Sequence, residues 1–206
     1  MALKNGWQAV VEAYLKEGVE FVFGLPGNPK HLYDALYDNP QIKSILVRHE
    51  ASGVFMAMAY SRLKGKPGIA FASPGPGVAN LVPGFMEAYS ANLPIIATVP
   101  TVSQRTEGMG AFQETDQVSI FKPISKWAVR VPVVEKIPWV MRRAFHLAVS
   151  GKPGPIFVEI PADVGLAEAD LPEYIKAPPM IRIAGDPEKI REAASLILKS
   201  EKPVLI

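Results

Sequence analysis

A doubly wound α/β domain is the fold this sequence predicts, with a mostly parallel six-stranded sheet carrying helices on both faces. Three observations point there. The runs VEFVF (19–23), SILV (44–47), GIAFAS (68–73), PIIATV (94–99), KWAVRV (126–131) and GPIFVEI (154–160) are short and mostly apolar without alternation, as strands covered on both faces are. Segments of helical period lie between them. Glycine, proline and asparagine sit at the junctions.

The elements follow in order. Trp7, Val10, Val11, Tyr14 and Leu15 recur at helical spacing, so an amphipathic helix opens the chain, with Gly18 as its C-cap. VEFVF ends in the loop GLPGNP (24–29), and Pro29 is placed to open the helix KHLYDALYD (30–38), which Asn39-Pro40 stops. SILV hands over through Arg48, His49 and Glu50 to the small-residue helix ASGVFMAMAYSRLKG (51–65). GIAFAS leads through PGPG to VANLVPGFMEAYSAN (78–92), read as one helix. A polar segment, 100–120, follows PIIATV as loop, and the helix IPWVMRRAFHLAVSG (137–151) joins the last two strands.

Past Ile160 the composition changes. A first domain is expected over 1–165, then a linker over 166–185, rich in proline and acid and without a clean period. Asp186-Pro187 has the form of an N-cap with proline at the first helical position, ahead of EKIREAASLILKS (188–200) and the strand-like KPVLI (202–206). A lone helix and strand cannot bury their own apolar faces, so 186–206 is expected to be the truncated start of a second domain.

Composition narrows the function classes. Hydrophobic residues make up 49% and charged residues 20% of the 206, the proportions of a globular chain long enough for a sizeable core. The net charge is +2 and the basic residues are scattered, which leaves no footprint for nucleic acid or a membrane surface. Cysteine is absent, so disulfides, thiolate zinc sites and cysteine nucleophiles are excluded. The start has no signal-peptide pattern, and no apolar run approaches the roughly 18 residues a membrane span needs. The expectation is a cytoplasmic protein.

In doubly wound sheets ligands bind beyond the carboxyl ends of the strands. Four segments occupy that edge: GLPGNP, Arg48-His49-Glu50, SPGPGVAN (73–80) and 100–120. Gly75 and Gly77 let backbone approach a ligand or a neighbouring chain, although a plain strand-to-helix turn uses the same residues. The turn fits neither GxGxxG nor GxxxxGK[ST], and no HExxH or GxSxG occurs. His31, His49 and His146 lack metal-ligand spacing. Glu50 has two readings. As a solvated acid at a helix start it gains about 0.3–1 kcal/mol from the macrodipole. As a carboxylate enclosed by its small and apolar flanks, it is suited to hold a proton against a heterocyclic nitrogen.

The stretches FVFGLPGNP, VRHEASGVFMAMAYSRLKGKPGIAFASPGPGVANLVPGFMEAYSANLPIIATV, GAFQETDQVSIFKPISKWAV and AFHLAVSGKPGPIFVEIPADV together resemble the N-terminal pyrimidine-binding domain of the thiamine diphosphate enzymes that act on 2-keto acids. Within that family the pattern is most like the acetolactate synthase large subunit. The resemblance implies that Glu50 is similar to the glutamate that hydrogen-bonds the cofactor's aminopyrimidine ring, promoting the imino tautomer that activates the thiazolium carbon for attack on a keto acid. It implies that Gly24, Pro26 and Gly27 line the active centre, and that Gly75, Gly77 and Asn80 flank the pyrimidine. Phe112 and Gln113 resemble an FQE motif reaching substrate and cofactor, with Gln113 also counted as catalytic. Lys126 matches a lysine near the substrate channel.

The same resemblance implies further expectations. Mg²⁺ and the diphosphate belong to a later domain with a GDG motif, which does not occur among these 206 residues, so no metal ligands are expected on this chain. FAD has a place in the full-length enzymes. The implied partner is a second copy in a homodimer or higher homo-oligomer, or a separate chain carrying the diphosphate-binding domain. The implied substrate is a small 2-keto acid, and the implied setting is branched-chain amino acid biosynthesis. Leu25, Pro74 and Gly110 depart from common synthase residues. A 2-keto acid decarboxylase, a benzaldehyde-lyase-type enzyme or a catalytically silent dimerisation module therefore remain alternatives.

Overall fold

The computed structural model describes residues 2–25, 27, 30–180 and 183–204. Strand β1 (Ala2–Asn5) leads into α1 (Gly6–Glu17), β2 (Phe21–Gly24), α2 (Lys30–Tyr37), β3 (Lys43–Leu46), α3 (Glu50–Lys64), β4 (Gly68–Phe71), α4 (Pro76–Ala79), α5 (Val82–Ser90) and β5 (Ile95–Thr101). Then come α6 (Gln117–Phe121), β6 (Trp127–Arg130), α7 (Ile137–Val149), β7 (Ile156–Pro161), α8 (Ala162–Leu166), β8 (Glu168–Leu171) and α9 (Pro187–Lys199). Pro26, Pro29 and the end of the expected last strand, Leu205 and Ile206, lie outside the described residues.

The main sheet has six strands in the order β3-β2-β4-β5-β7-β6, and every neighbouring pair is parallel. Two cores sandwich it. On one face α1, α2 and α7 press Val10, Tyr14, Leu32, Met141 and Phe145 onto Ile69, Phe71, Ile96 and Val158. On the other, α3, α5 and α6 press Val54, Ala57, Phe85 and Phe121 onto Ala70, Ala97 and Phe157. Consecutive residues of β4 and β5 thus feed opposite cores, and for this reason the strands are apolar without alternation. Phe121 stacks on Phe157 at 4.2 Å with the planes 5° apart, and Phe85 meets Phe121 edge-on at 4.8 Å. Helices α3 and α5 touch through Gly84, where a β-carbon would stand 2.5 Å from Val54 Cβ.

The caps follow the local sequence. Asn5 and Gln8 form a reciprocal capping box at the start of α1, and Gly18 ends that helix at φ 76°. Asp186 caps α9 through the amides of Glu188 and Lys189.

Three differences from the sequence expectation have clear causes. The expected single helix over 78–92 is two, because Pro83 offers no amide and crowds the carbonyl four residues back, so the chain breaks at Asn80-Leu81. The expected linker contains β8, which pairs antiparallel with β1 from Ala2↔Leu171 to Asn5↔Glu168. Beyond it Tyr174 is buried and donates to Glu17 Oε1 at 2.7 Å, so this stretch packs on α1. The polar segment after β5 contains α6, capped by Asp116 through the Ser119 amide. No residue of α9 is buried, and Ile190, Leu196 and Leu198 are exposed on it. Among the described residues no helix is long and apolar enough to cross a membrane.

Candidate active centre

The chain enters the main sheet at β2, steps to β3 on one side, then returns to β4 on the other. The connections therefore diverge beyond the carboxyl ends of β2 and β4, where a doubly wound sheet opens its crevice. The loops after these two strands meet closely. A β-carbon on Gly27 would lie 2.4 Å from Ser73 Oγ, and one on Gly24 would lie 2.5 Å from the Phe71 carbonyl oxygen. A side chain at Gly24 would push the paired ends of β2 and β4 apart, and one at Gly27 would have to displace the Ser73 hydroxyl.

The charged triplet after β3 divides between solvent and interior. Arg48 and His49 are exposed, whereas Glu50 is only 6% exposed. His49 takes the N-cap role: its backbone is extended and its Nδ1 accepts the Ala51 amide at 3.2 Å. Glu50 is left at the first position of α3 with its carboxylate turned into the crevice. Oε2 accepts a hydrogen bond from Asn80 Nδ2 at 2.9 Å. Oε1 faces Gly77, at which a β-carbon would lie 3.0 Å away. Glu50 is thus both a helix-start acid and an enclosed one.

The turn after β4 and the segment after β5 are fitted to each other. Gly75 has φ 64°, and a β-carbon there would come within 2.6 Å of the Gln113 carbonyl oxygen. Gln113 also has positive φ, 64°, a conformation that costs a non-glycine residue about 1–2 kcal/mol unless its surroundings impose it. The backbone around it is tied by Glu114, whose carboxylate accepts the amides of Gly108 and Ala111. Those amides hold the Glu114 carboxyl below the usual glutamate range. Gly110, one of the departures from the synthase pattern, has φ 74°, in the left-handed region an acidic residue would resist.

Gly24, Gly27, Glu50, Gly75, Gly77, Asn80 and the Gln113 backbone therefore share one sheet edge. Phe112 stands beside them, 86% exposed. Lys126 does not join them. It precedes β6, at the opposite edge of the sheet, and its Nζ donates to the carbonyls of Leu147 and Ser150 at the end of α7. Burial lowers its pKa from the ordinary lysine value. The ammonium serves the carboxyl-terminal end of a helix.

Two groups behind the turn escaped the sequence reading. Gln117, fully buried, accepts the Gly75 amide on Oε1 at 2.8 Å. Glu159, also fully buried, accepts from Gln117 Nε2 at 2.6 Å and from Arg130 Nε at 2.5 Å. A signal for Glu159 is present in the sequence, since an acid inside the apolar run GPIFVEI needs a buried partner. Nothing local marks Gln117.

One enclosed carboxylate, held by an amide and faced by Gly77, suits a flat heterocycle with a ring nitrogen. Residues 4–120 match the family described as "Thiamine pyrophosphate enzyme, N-terminal TPP binding domain". The chain is 37% identical over 210 residues to the probable acetolactate synthase large subunit of Methanocaldococcus jannaschii, covering 98% of this chain and 35% of that protein. It is 39% identical over 208 residues to the chloroplastic acetolactate synthase of Arabidopsis thaliana, covering 98% and 31%. It is 36% identical over 202 residues to the acetolactate synthase isozyme 2 large subunit of Escherichia coli K12, covering 98% and 36%. The chain spans about a third of the length of these curated relatives. With more than half of its residues inside the match, the chain belongs to the thiamine pyrophosphate enzyme family, whose N-terminal TPP-binding domain it carries.

Proposed function

We propose that this chain is the pyrimidine-side part of a thiamine diphosphate-dependent carboligase of the acetolactate synthase type, acting on pyruvate or a similar small 2-keto acid. The observation that carries the reading is Glu50, enclosed to 6% exposure and held by Asn80 with Gly77 beside its other oxygen. That environment fits the cofactor: the carboxylate supplies the hydrogen-bonding group and Gly77 the bare face against which a ring can lie. When bound, thiamine diphosphate supplies a carbon nucleophile for the keto acid and an electron sink for its decarboxylation.

The chain's own residues bind and orient. Glu50 holds a proton at the ring nitrogen of the pyrimidine, and its burial keeps water from competing for that proton. Asn80 fixes which carboxylate oxygen turns toward the ring. The turn containing Gly75 and Gly77 lets backbone approach the ring, Gly24 and Gly27 close the crevice beside it, and Gln113 with Phe112 forms the rim on the substrate side. Mg²⁺ and the diphosphate are assigned to a further domain that these 206 residues do not contain, and FAD has a place in the full-length enzyme.

The test is Glu50→Gln in an assembly that contains this chain and the diphosphate-binding domain. It should lower kcat by about 10²–10⁴-fold, the range of a positioned general acid, while thermal stability is kept. Unchanged turnover would reject the role. With pyruvate, acetolactate as the product supports the carboligase and acetaldehyde points to a decarboxylase instead. The 206-residue chain alone should neither turn over pyruvate nor bind thiamine diphosphate at micromolar affinity in calorimetry.

A further inference from the structure

We propose that Gln117 and Glu159 are positioning residues for the Glu50 centre, fastening the glycine turn that faces its carboxylate; this rests on the reading of Glu50 given above. Both side chains are fully buried, behind the turn that carries Gly75. Gln117 uses all of its amide. Nε2 donates to the Pro100 carbonyl at 3.1 Å and to Glu159 Oε2 at 2.6 Å, which leaves Oε1 aimed at the Gly75 amide, 2.8 Å away. The two acceptors on one side thus decide which end of the amide meets the turn.

Glu159 in turn is held across the sheet. It stands beside Arg130 in the parallel register of β6 and β7, and its Oε1 accepts from Arg130 Nε at 2.5 Å. Arg130 reaches on to Glu107 in the segment after β5. Burial pushes the Glu159 carboxyl above the usual glutamate range, and the donors Gln117 and Arg130 oppose that push. A relay therefore runs from Glu107 through Arg130, Glu159 and Gln117 to the backbone of Gly75. Two residues further on is Gly77, against Glu50 Oε1, and Asn80, on Glu50 Oε2, follows at the end of the same short helix. Gly75 also abuts Gln113, so the relay secures both loops of the crevice at one point.

The geometry demands a carboxylate at 159. Two donors converge on it, one at each oxygen. A carboxamide has one oxygen, so Glu159→Gln must turn its own NH₂ toward either Arg130 or Gln117. If it faces Gln117, the Gln117 amide is driven to flip and Gly75 loses its acceptor. Removing the arginine donor removes the conflict, so Arg130→Met should rescue Glu159→Gln. A purely structural deletion would make the double variant worse instead.

The experiment has two readouts. In the 206-residue chain, amide hydrogen exchange by NMR is followed at Gly75 and at the sheet amide of Ile96. Glu159→Gln should speed exchange at Gly75 by about tenfold with Ile96 unchanged, and Glu159→Gln with Arg130→Met should restore protection. In the loaded assembly, Glu159→Gln should lower kcat by about tenfold at unchanged KM for the keto acid, and the double variant should recover. If Glu159→Gln does not fold, Gln117→Met keeps the volume, deletes only the polar link, and carries the same two readouts. Unchanged Gly75 exchange, or a double variant no better than the single, overturns the proposal. Glu50→Gln runs beside these as a control. If it inactivates while Glu159→Gln does not, the positioning role is wrong; if Glu50→Gln is silent, the reading of Glu50 fails and the proposal falls with it.

Discussion

Asn80 donates its side-chain amide to Glu50 at 2.9 Å across 30 positions of sequence, tying the end of α4 to the start of α3. The bond exists because α4 stops at Asn80, ahead of Pro83, so the side chain is presented at the helix end beside the crevice. A hydrogen bond in a partly open setting contributes on the order of 1 kcal/mol. Asn80→Ala should lower chain stability by about that amount in urea unfolding. In the complete enzyme it should cost about tenfold in kcat by letting the carboxylate swing. Full activity in this variant would show that Glu50 is oriented by something else.

The position of α3, and with it Glu50, depends on α5. Gly84→Ala places a methyl group 2.5 Å from Val54 Cβ, where the surrounding core gives no room. Overpacking of this kind costs about 1–3 kcal/mol. Removing that β-carbon in Val54→Gly should make the double variant less destabilised than the two single losses added together, since the two changes share one contact. Additive losses in thermal unfolding would mean the two helices do not meet as described.

Lys126 separates a helix-end role from a catalytic one. Its ammonium bonds carbonyls at the end of α7, an arrangement that adds roughly 0.3–1 kcal/mol when the charge lies near the helix terminus. Lys126→Met should lower the unfolding midpoint and leave kcat and KM of the assembled enzyme unaltered. A raised KM with unchanged stability would restore the substrate-channel expectation.

Glu114 makes the loop beside Gln113 acid-sensitive. Its carboxyl is held below the usual glutamate value of 4.5 by the Gly108 and Ala111 amides. A depressed carboxyl stabilises the folded form above its unfolded value, and that contribution disappears as pH falls through the lower folded value. Exchange at the Gly108 and Ala111 amides, corrected for the intrinsic pH effect, should therefore accelerate below about pH 4.5. Glu114→Gln should show the fast exchange at neutral pH already. Asp116, lowered by Ser119 in the next turn, titrates in the same direction, so the Glu114→Gln comparison isolates the glutamate.

Much of the fold was legible because its causes are local. Non-alternating apolar runs, Gly18 at a C-cap and Asp186-Pro187 at a helix start each act within a few residues, and the structure has them where the sequence predicts. The miss at 78–92 was local too: Pro83 marked a break that the apolar periodicity concealed. The β1–β8 pair was not legible, since four-residue strands 166 positions apart, one of them acid-rich, carry no pattern that selects each other. Lys126 shows the opposite hazard: the resemblance assigned it a place near the substrate, and the sheet puts it at the far edge.

The charged triplet at 48–50 marks the boundary most clearly. Strand propensity before it and a small-residue helix after it were enough to locate Glu50 at a strand-to-helix junction on the ligand edge of a parallel sheet. Whether that acid faced water or protein was undecided, because a first-turn glutamate is favourable in either setting. The tertiary structure decided it. His49 took the cap, the glycine turn after β4 closed over the carboxylate, and Asn80 satisfied one oxygen. Burial of a charge depends on which distant groups surround it and supply its hydrogen bonds, and those groups come together only when the strands pair.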